Sequence, residues 1–176
     1  MKNNIKTSGY FTKSMREFFL LRIFAKNISY LQKSIRNLSD KKVDLYSLQE
    51  VMDYTFTNVQ YLEKALTHPS QKQLSSEDTY ERTEFLGDRV LGLIIAELLM
   101  KEFPEAAEGE LAIRLSALVS GKTLCDVAEE IGLASYISVS DAERLAGTHK
   151  RNSVKADCLE AIIGAIKTHV LFVNSA

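Results

Sequence analysis

The feature that most constrains this fold is the long apolar segment of residues 80–103, which ends at Pro104. Apolar side chains recur along it at the three- and four-residue spacing of an α-helix. Proline ends such a segment because it has no N–H to donate and its ring clashes with the preceding turn. The segment therefore predicts one long helix, and charged residues interrupt it too often for it to span a membrane.

The rest of the chain shows the same helical periodicity. Apolar spacing of three to four residues runs through residues 45–66, and three further helices are predicted over residues 108–120, 121–131 and 153–167. Residues 136–140 have the composition of a short strand, but no partner strand is apparent. Hydrophobic residues make up 45% of the 176 residues and charged residues 26%, which suits one globular domain. The predicted fold class is all-α.

Charge divides the chain into a basic N-terminal segment and an acidic remainder. Residues 1–44 contain ten basic and three acidic residues, whereas the remaining residues contain twelve basic and twenty acidic ones. We therefore predict a basic N-terminal extension over residues 1–44 and one domain over residues 45–176. Three interpretations of the extension stay open: a transit-type presequence, an arm that contacts RNA or a membrane, and a non-native upstream extension without function.

Three carboxylates occupy one face of the long predicted helix. At about 100° per residue, Glu81, Glu84 and Asp88 project on the same side as the core-type residues Leu91 and Ile95. Burying unpaired carboxylates side by side is unfavourable, so a cation is expected among them. The alternative is that this end of the helix reaches the surface and water solvates the acids.

A matching set of residues lies far along the chain. Asp157 and Glu160 are three residues apart, hence on one helical face, together with the small residues Ala161 and Gly164. A helix that is small and acidic on one side can pack closely against another such helix and combine the carboxylates in one pocket. Carboxylate oxygens are the ligands of Mg²⁺ and Mn²⁺.

Glycine, cysteine and histidine positions refine this prediction. Gly87 and Gly92 disfavour a helix interior, which suggests that another backbone comes close at both positions. Cys125 and Cys158 form no CxxC pair, and the three histidines lie in unrelated places, so neither a disulfide framework nor a soft-metal site is expected.

The segment Glu81-Arg-Thr-Glu-Phe-Leu-Gly-Asp88 closely resembles the signature of the ribonuclease III family. Residues 65–70 resemble the family's segment upstream of the signature, and residues 103–111, 115–120 and 156–165 resemble its downstream blocks in the same order. The resemblance extends from about Leu45 to Ile166.

The resemblance implies an all-helical endonuclease domain that acts as a homodimer on double-stranded RNA. It implies RNA processing, such as rRNA and mRNA maturation, that leaves 5′-phosphate and 3′-hydroxyl ends. The cofactor it implies is Mg²⁺, with Mn²⁺ as a substitute. The implied location is the bacterial cytoplasm, or an organelle such as the mitochondrion if residues 1–44 are a transit sequence.

Several residues receive roles by the same resemblance. Asp88 and Glu160 match the catalytic residues, and Phe85 matches an aromatic residue of the dimer interface, although an ordinary core position is the alternative for Phe85. The metal-binding carboxylates implied are Glu84, Asp88, Asp157 and Glu160. Glu81 and Glu108 match secondary acidic positions.

The sequence departs from the family pattern at a few places. Thr83 stands where a larger apolar residue is usual, and Lys155 where leucine is common; each is interpreted as a surface or local packing variant, with Lys155 directed away from Asp157. The basic triplet of residues 149–151 either contacts phosphate or is solvated. After Ile166 the sequence is unlike the family, which implies the loss of the closing helix and of a double-stranded-RNA-binding domain.

Two classes of function remain open at this stage. The first is an active, metal-dependent endoribonuclease. The second is a non-catalytic ribonuclease III-like module that binds RNA or the ribosome, or a truncated inactive paralogue. Retention of all four carboxylates favours the enzyme, because a module without catalysis has no reason to keep them together.

Overall fold

The computed structural model describes residues 44–71 and 79–173. Within these ranges the chain is helical and contains no β-strand, which confirms the all-α prediction. None of the helices in this part of the chain is long and apolar enough to cross a membrane. The chain divides after Thr55 into two units, which are described separately.

The described part of the first unit is one short helix, α1 (Leu45–Met52). The Asp44 carboxylate caps it by accepting a hydrogen bond from the Tyr46 N–H at 3.0 Å. The helix ends at Asp53, which adopts a left-handed conformation with φ of 51°. Residues 1–43 lie outside the described residues, so the three interpretations of the basic extension stay predictions.

The second unit contains the remaining described helices. The two longest match the predicted segments, but the last extends to Val173, beyond its predicted end at residue 167, and one short helix was not predicted. The helices are α2 (Gln60–Ala65), α3 (Glu81–Glu102), α4 (Glu108–Leu118), α5 (Gly121–Glu130), α6 (Asp141–Leu145) and α7 (Asn152–Val173), with 3₁₀ turns at Leu133–Ser135 and Thr148–Lys150.

The core of this unit forms around α7. This helix packs most extensively against α3 and also contacts α5 and α2. The apolar stripe of α3 faces it, with Leu91, Ile95 and Leu99 buried, as the periodicity of the sequence predicts. Because α7 is surrounded, it is apolar around much of its circumference, and Ala161, Ile162 and Ala165 are among its buried residues.

Residues 136–140 have the partner that the sequence did not reveal. Thr67 and Ser138 form an isolated parallel bridge, in which the His68 N–H donates to the Ser138 carbonyl and the Ser138 N–H to the Leu66 carbonyl, both at 2.8 Å. The expectation that this segment lacks a partner was therefore wrong. One bridge to a segment some seventy residues away needs no alternating pattern, so no sequence signal marks it.

Of the two interpretations of Lys155, a surface variant or a local packing variant, the structure agrees with local packing. The Lys155 side chain is buried, with 5% of the residue exposed, and its ammonium group pairs with the carboxylate of Glu129 on α5. The ion pair directs Lys155 away from Asp157, as expected. A buried ammonium group needs such a partner because the loss of hydration is otherwise uncompensated.

Candidate metal centre

Three of the predicted carboxylates meet where α3 crosses α7. Glu84 comes from the first turns of α3, and Asp157 and Glu160 come from the N-terminal half of α7. One carboxylate oxygen from each lies within 4.8 Å of the others. The structure thus brings together residues that are more than seventy positions apart in the sequence.

The close approach of the two helices depends on a pair of glycines. A methyl group added at Gly87 would overlap the Glu160 carbonyl oxygen, and one added at Gly164 would overlap the Thr83 carbonyl oxygen. The close approach predicted at Gly87 is therefore confirmed. The one predicted at Gly92 was wrong, since no described residue outside its own helix lies within 4 Å of a Cβ placed there.

Burial and then neighbouring carboxylates raise the pKa values of Glu160 and Glu84. The pKa of Glu160 rises to about 7 because the group is partly buried and lies beside Glu84 and Asp157, an effect that Arg89 partly opposes. The pKa of Glu84 is raised by burial and then by Asp157 and Glu81. Within the described residues, the positive charge of Arg89 does not cancel the negative potential of the carboxylates.

Two residues next to Asp157 support its ionised form. Burial raises the pKa of Asp157, but the charge of His68 and a hydrogen bond from the Tyr80 side chain lower it. Tyr80 is 5% exposed and its ring contacts that of His68 edge to face, with centroids 5.7 Å apart. The backbone N–H of Ser70 donates to the His68 ring at Nδ1, which orients the imidazole.

Sequence reasoning missed both of these residues. His68 was judged to lie in an unrelated place, whereas the structure puts it within electrostatic reach of Asp157. Its presence in the segment 65–70 that resembles the family was a usable signal. Tyr80 had no signal beyond its position directly before the signature.

The remaining predicted residues lie around the carboxylate group. Asp88 follows Glu84 by one turn, but its carboxylate pairs with Arg89 and does not belong to the group of three. Glu81 is exposed and its carboxylate accepts a hydrogen bond from the Thr79 hydroxyl at 3.3 Å, and Glu108 is exposed at the start of α4.

Phe85 points away from the core of the chain. It is 66% exposed, with the Arg89 guanidinium 5.2 Å from its ring centroid. The alternative interpretation as an ordinary core residue was therefore wrong, and an aromatic ring of this size on the surface is available to a partner.

The donor set fits a hard divalent cation. It consists of three carboxylates, and no histidine or cysteine of the described residues belongs to it. Oxygen-only ligands with concentrated negative charge suit Mg²⁺ or Mn²⁺, while zinc and copper prefer nitrogen and sulfur. A bound cation would also remove the mutual repulsion that raises the pKa values of Glu84 and Glu160.

The chain is similar to a known family and to several of its members. The model of the Ribonuclease-III-like family matches residues 58–170. The proteins named Ribonuclease 3 from Brucella canis and Brucella suis are each 47% identical to this chain over 119 residues. The match covers 68% of this chain and 48% of each relative, so the chain spans about half the length of the curated relatives it matches.

Solved structures show the same fold. Two structures of the nuclease domain of ribonuclease III from Campylobacter jejuni superpose with TM-scores of 0.68, at 37% and 36% sequence identity. The first covers 74% of this chain and 89% of the Campylobacter chain, and the second 75% and 88%. The first is described as having structural flexibility in a region involved in dimer formation.

Proposed function

The chain belongs to the ribonuclease-III-like family, and from that premise we propose that it is an endoribonuclease that hydrolyses phosphodiester bonds in double-stranded RNA. The observation that carries the proposal is the convergence of Glu84, Asp157 and Glu160 at the crossing of α3 and α7. The products are 5′-phosphate and 3′-hydroxyl ends, and the physiological role is RNA processing.

We propose Mg²⁺, replaceable by Mn²⁺, as the cofactor of this centre. Glu84, Asp157 and Glu160 are its ligands, and Asp88, one turn along α3, joins them by exchanging its contact with Arg89 for the cation. When bound, a divalent cation lowers the pKa of a coordinated water and neutralises charge that develops on the phosphate.

The chain's own residues prepare the centre for an anionic substrate. Tyr80 and His68 favour ionised Asp157 and so oppose the effect of its burial, which raises the pKa of this ligand. Glu160 ionises near neutral pH and can exchange a proton there. We assign catalytic roles to Asp88 and Glu160, and secondary roles to Glu81 and Glu108, whose carboxylates lie outside the group of three.

We further propose that the active form is a homodimer. Large apolar side chains of α3 and α4 are exposed in the single chain: Phe85 (66%), Leu93 (61%), Met100 (65%) and Ile113 (74%). Apolar groups concentrated on two consecutive helices are typical of a protein interface. Two copies would present two metal centres, one for each strand of the RNA duplex, and the duplex would be recognised by its A-form shape.

The test is cleavage of a long double-stranded RNA by the purified full chain with Mg²⁺, with and without a chelator. The unmodified chain should shorten the RNA when Mg²⁺ is present. Glu160→Gln should lose at least about a hundredfold in rate, because it removes a ligand of a catalytic metal. Glu130→Gln is the matched control, since Glu130 is exposed at the end of α5 and outside the group of three.

A folded, dimeric chain that leaves the RNA intact would show that the endonuclease proposal is wrong. Binding of the same RNA without cleavage would instead support the non-catalytic RNA-binding module. A chain that cleaves equally well with Glu160→Gln would place the catalytic centre elsewhere.

A further inference from the structure

An open pocket of about 550 Å³ lies on the unit that contains α5 and α7, apart from the carboxylate group. It is lined by residues of α5, of both 3₁₀ turns, of α6 and of the N-terminal part of α7. Its volume lies in the range of small-molecule binding sites and is larger than a single inorganic phosphate needs. None of its lining residues is one of the three metal-centre carboxylates.

The lining of this pocket is strongly basic. Three basic residues line it, namely Arg144, Lys150 and Lys155. Of the residues that the structure describes, Glu129 is the one acidic residue in the lining. Glu129 is already engaged, because its carboxylate pairs with Lys155. The positive charges of Arg144 and Lys150 therefore have no acidic partner in the lining.

Arg144 is held in place at the pocket wall. Its guanidinium donates a hydrogen bond to the Ile137 carbonyl at 2.8 Å through one terminal nitrogen. A guanidinium fixed in this way keeps other N–H groups for an anion and loses little conformational freedom on binding. Lys150 is exposed at the end of the 3₁₀ turn and can follow the ligand.

His149 adds an imidazole to the same lining. The residue is 9% exposed and lines the pocket, and its Nδ1, which is closed off from solvent, has no hydrogen-bond partner among the described residues. An atom closed off from solvent does not face an open pocket, so Nε2 is the ring nitrogen that can meet a ligand there. Burial and then the charges of Arg144 and Lys150 lower the pKa of this imidazole. An anion in the pocket would reverse this effect and favour a protonated ring that donates hydrogen bonds.

The position of Lys155 strengthens the case for a polar ligand specific to this chain. Leucine is common at this position in the family that the sequence resembles, yet here a lysine is buried against Glu129. An apolar side chain would fill this wall of the pocket without needing a partner. The lysine instead adds an ammonium group to the lining.

We propose that this pocket binds a small phosphomonoester, that is, a terminal phosphate on a compact organic group. Arg144, Lys150 and His149 contact the phosphate, since a dianionic phosphate matches two uncompensated cations. The small alanine and glycine residues of the lining leave space for the organic group. The proposal does not rest on the nuclease function, because the two sites share no residue.

Isothermal titration calorimetry of the full chain with a chelator present tests the proposal. The probes are adenosine 5′-monophosphate, adenosine and inorganic phosphate. We expect the monophosphate to bind, inorganic phosphate to bind more weakly, and adenosine to show no binding. Lys150→Gln and His149→Phe should each weaken binding about tenfold, since each removes one contact to a charged group. Glu160→Gln should bind the monophosphate normally.

Lys122→Gln is the matched control, because Lys122 is an exposed lysine on α5 that does not line the pocket. Equal weakening by Lys122→Gln and Lys150→Gln would overturn the proposal and indicate non-specific charge attraction. Equal affinity for adenosine and its monophosphate would also overturn the proposal. The same holds if the monophosphate does not bind at millimolar concentration. The proposal would also be overturned if Lys150→Gln and His149→Phe weakened the binding of double-stranded RNA but not of the monophosphate. That result would indicate a nucleic-acid contact.

Discussion

Glu160 ionises near neutral pH, with a pKa raised to about 7, because it is partly buried beside Glu84 and Asp157. Without a cation, each added negative charge at this position is opposed by the charges already there. The same three groups that repel one another in the metal-free chain become ligands once a divalent cation is present. The ionisation of a single residue thus links pH, metal binding and stability.

The metal-free chain should lose stability as the pH rises from about 4.5 to about 7. The folded chain holds the Glu160 proton to a higher pH than the unfolded chain, whose pKa is near the usual 4.5. Unfolding in this window therefore releases a proton, and the free energy of unfolding falls as pH increases. Thermal unfolding with a chelator should show a fall of a few degrees that Glu160→Gln reduces. An identical pH dependence in the two proteins would contradict this account, and Glu130→Gln is the control.

Added Mg²⁺ should oppose the loss of stability at higher pH, and its effect should grow as the pH rises. The cation binds ionised carboxylates, so its apparent affinity should increase as the pH rises through about 7, the pKa of Glu160. The rise in melting temperature caused by Mg²⁺ should therefore be larger at pH 8 than at pH 6. A pH-independent effect of Mg²⁺ would indicate binding outside the carboxylate group.

Tyr80→Phe should weaken metal binding while leaving the packing of the ring in place. The phenol hydroxyl supports ionised Asp157, so its loss should raise the pKa of that carboxyl. A partner of a metal ligand typically changes affinity by about tenfold or more. The Mg²⁺ concentration for half-maximal cleavage should rise, most at low pH. Tyr46→Phe, at a residue that is 78% exposed, is the control; equal behaviour of the two variants would contradict a positioning role for Tyr80.

At the scale of elements, the crossing of α3 and α7 fixes the site. Glu84 and Glu160 meet because glycine at positions 87 and 164 lets the two backbones come together. Any side chain there would separate the helices and with them the carboxylates. The short distance between the helices is therefore a requirement of the site as well as of the packing.

Gly87→Ala should destabilise the chain strongly, whereas Gly92→Ala should not. A methyl group at position 87 overlaps the backbone carbonyl of Glu160, and backbone cannot move aside as a flexible side chain can. Overpacking of this kind costs about 1–3 kcal/mol or more. At position 92 no described neighbour lies within 4 Å of an added methyl group, and alanine favours the helix by up to about 1 kcal/mol. Urea unfolding at equal protein concentration measures both; similar losses in the two variants would contradict the close crossing.

The elements themselves were predictable to different degrees. The long helix α3 follows from apolar periodicity and Pro104, which are local signals. The crossing was predictable in part, because acidic and small residues share a face in both segments. The failure at Gly92 shows that a helical glycine alone does not tell where a neighbour lies. The burial of Lys155 depends on Glu129, which lies on a different helix and has no fixed sequence relation to it.

At the scale of the whole molecule, the proposed dimer explains an unusual surface. The helix α4 has no buried residue in the single chain, and the exposed apolar residues Phe85, Leu93 and Ile113 lie on it and on α3. Exposed apolar groups gain little in a monomer and favour association when they face a complementary surface. We expect two chains to cover these groups together.

Leu93→Asp should convert the dimer into monomers without unfolding the chain. The side chain is 61% exposed in the single chain, so a carboxylate costs little there, but a dimer would bury two like charges in an apolar contact. Analytical ultracentrifugation should show the change in mass, with circular dichroism unchanged. Leu145→Asp is the control, since Leu145 is 91% exposed on α6, outside the proposed interface. A monomeric unmodified chain, or a Leu93→Asp variant that stays dimeric, would contradict the assignment. Because each chain would supply one metal centre, the monomeric variant should also fail to cut both strands of the duplex together.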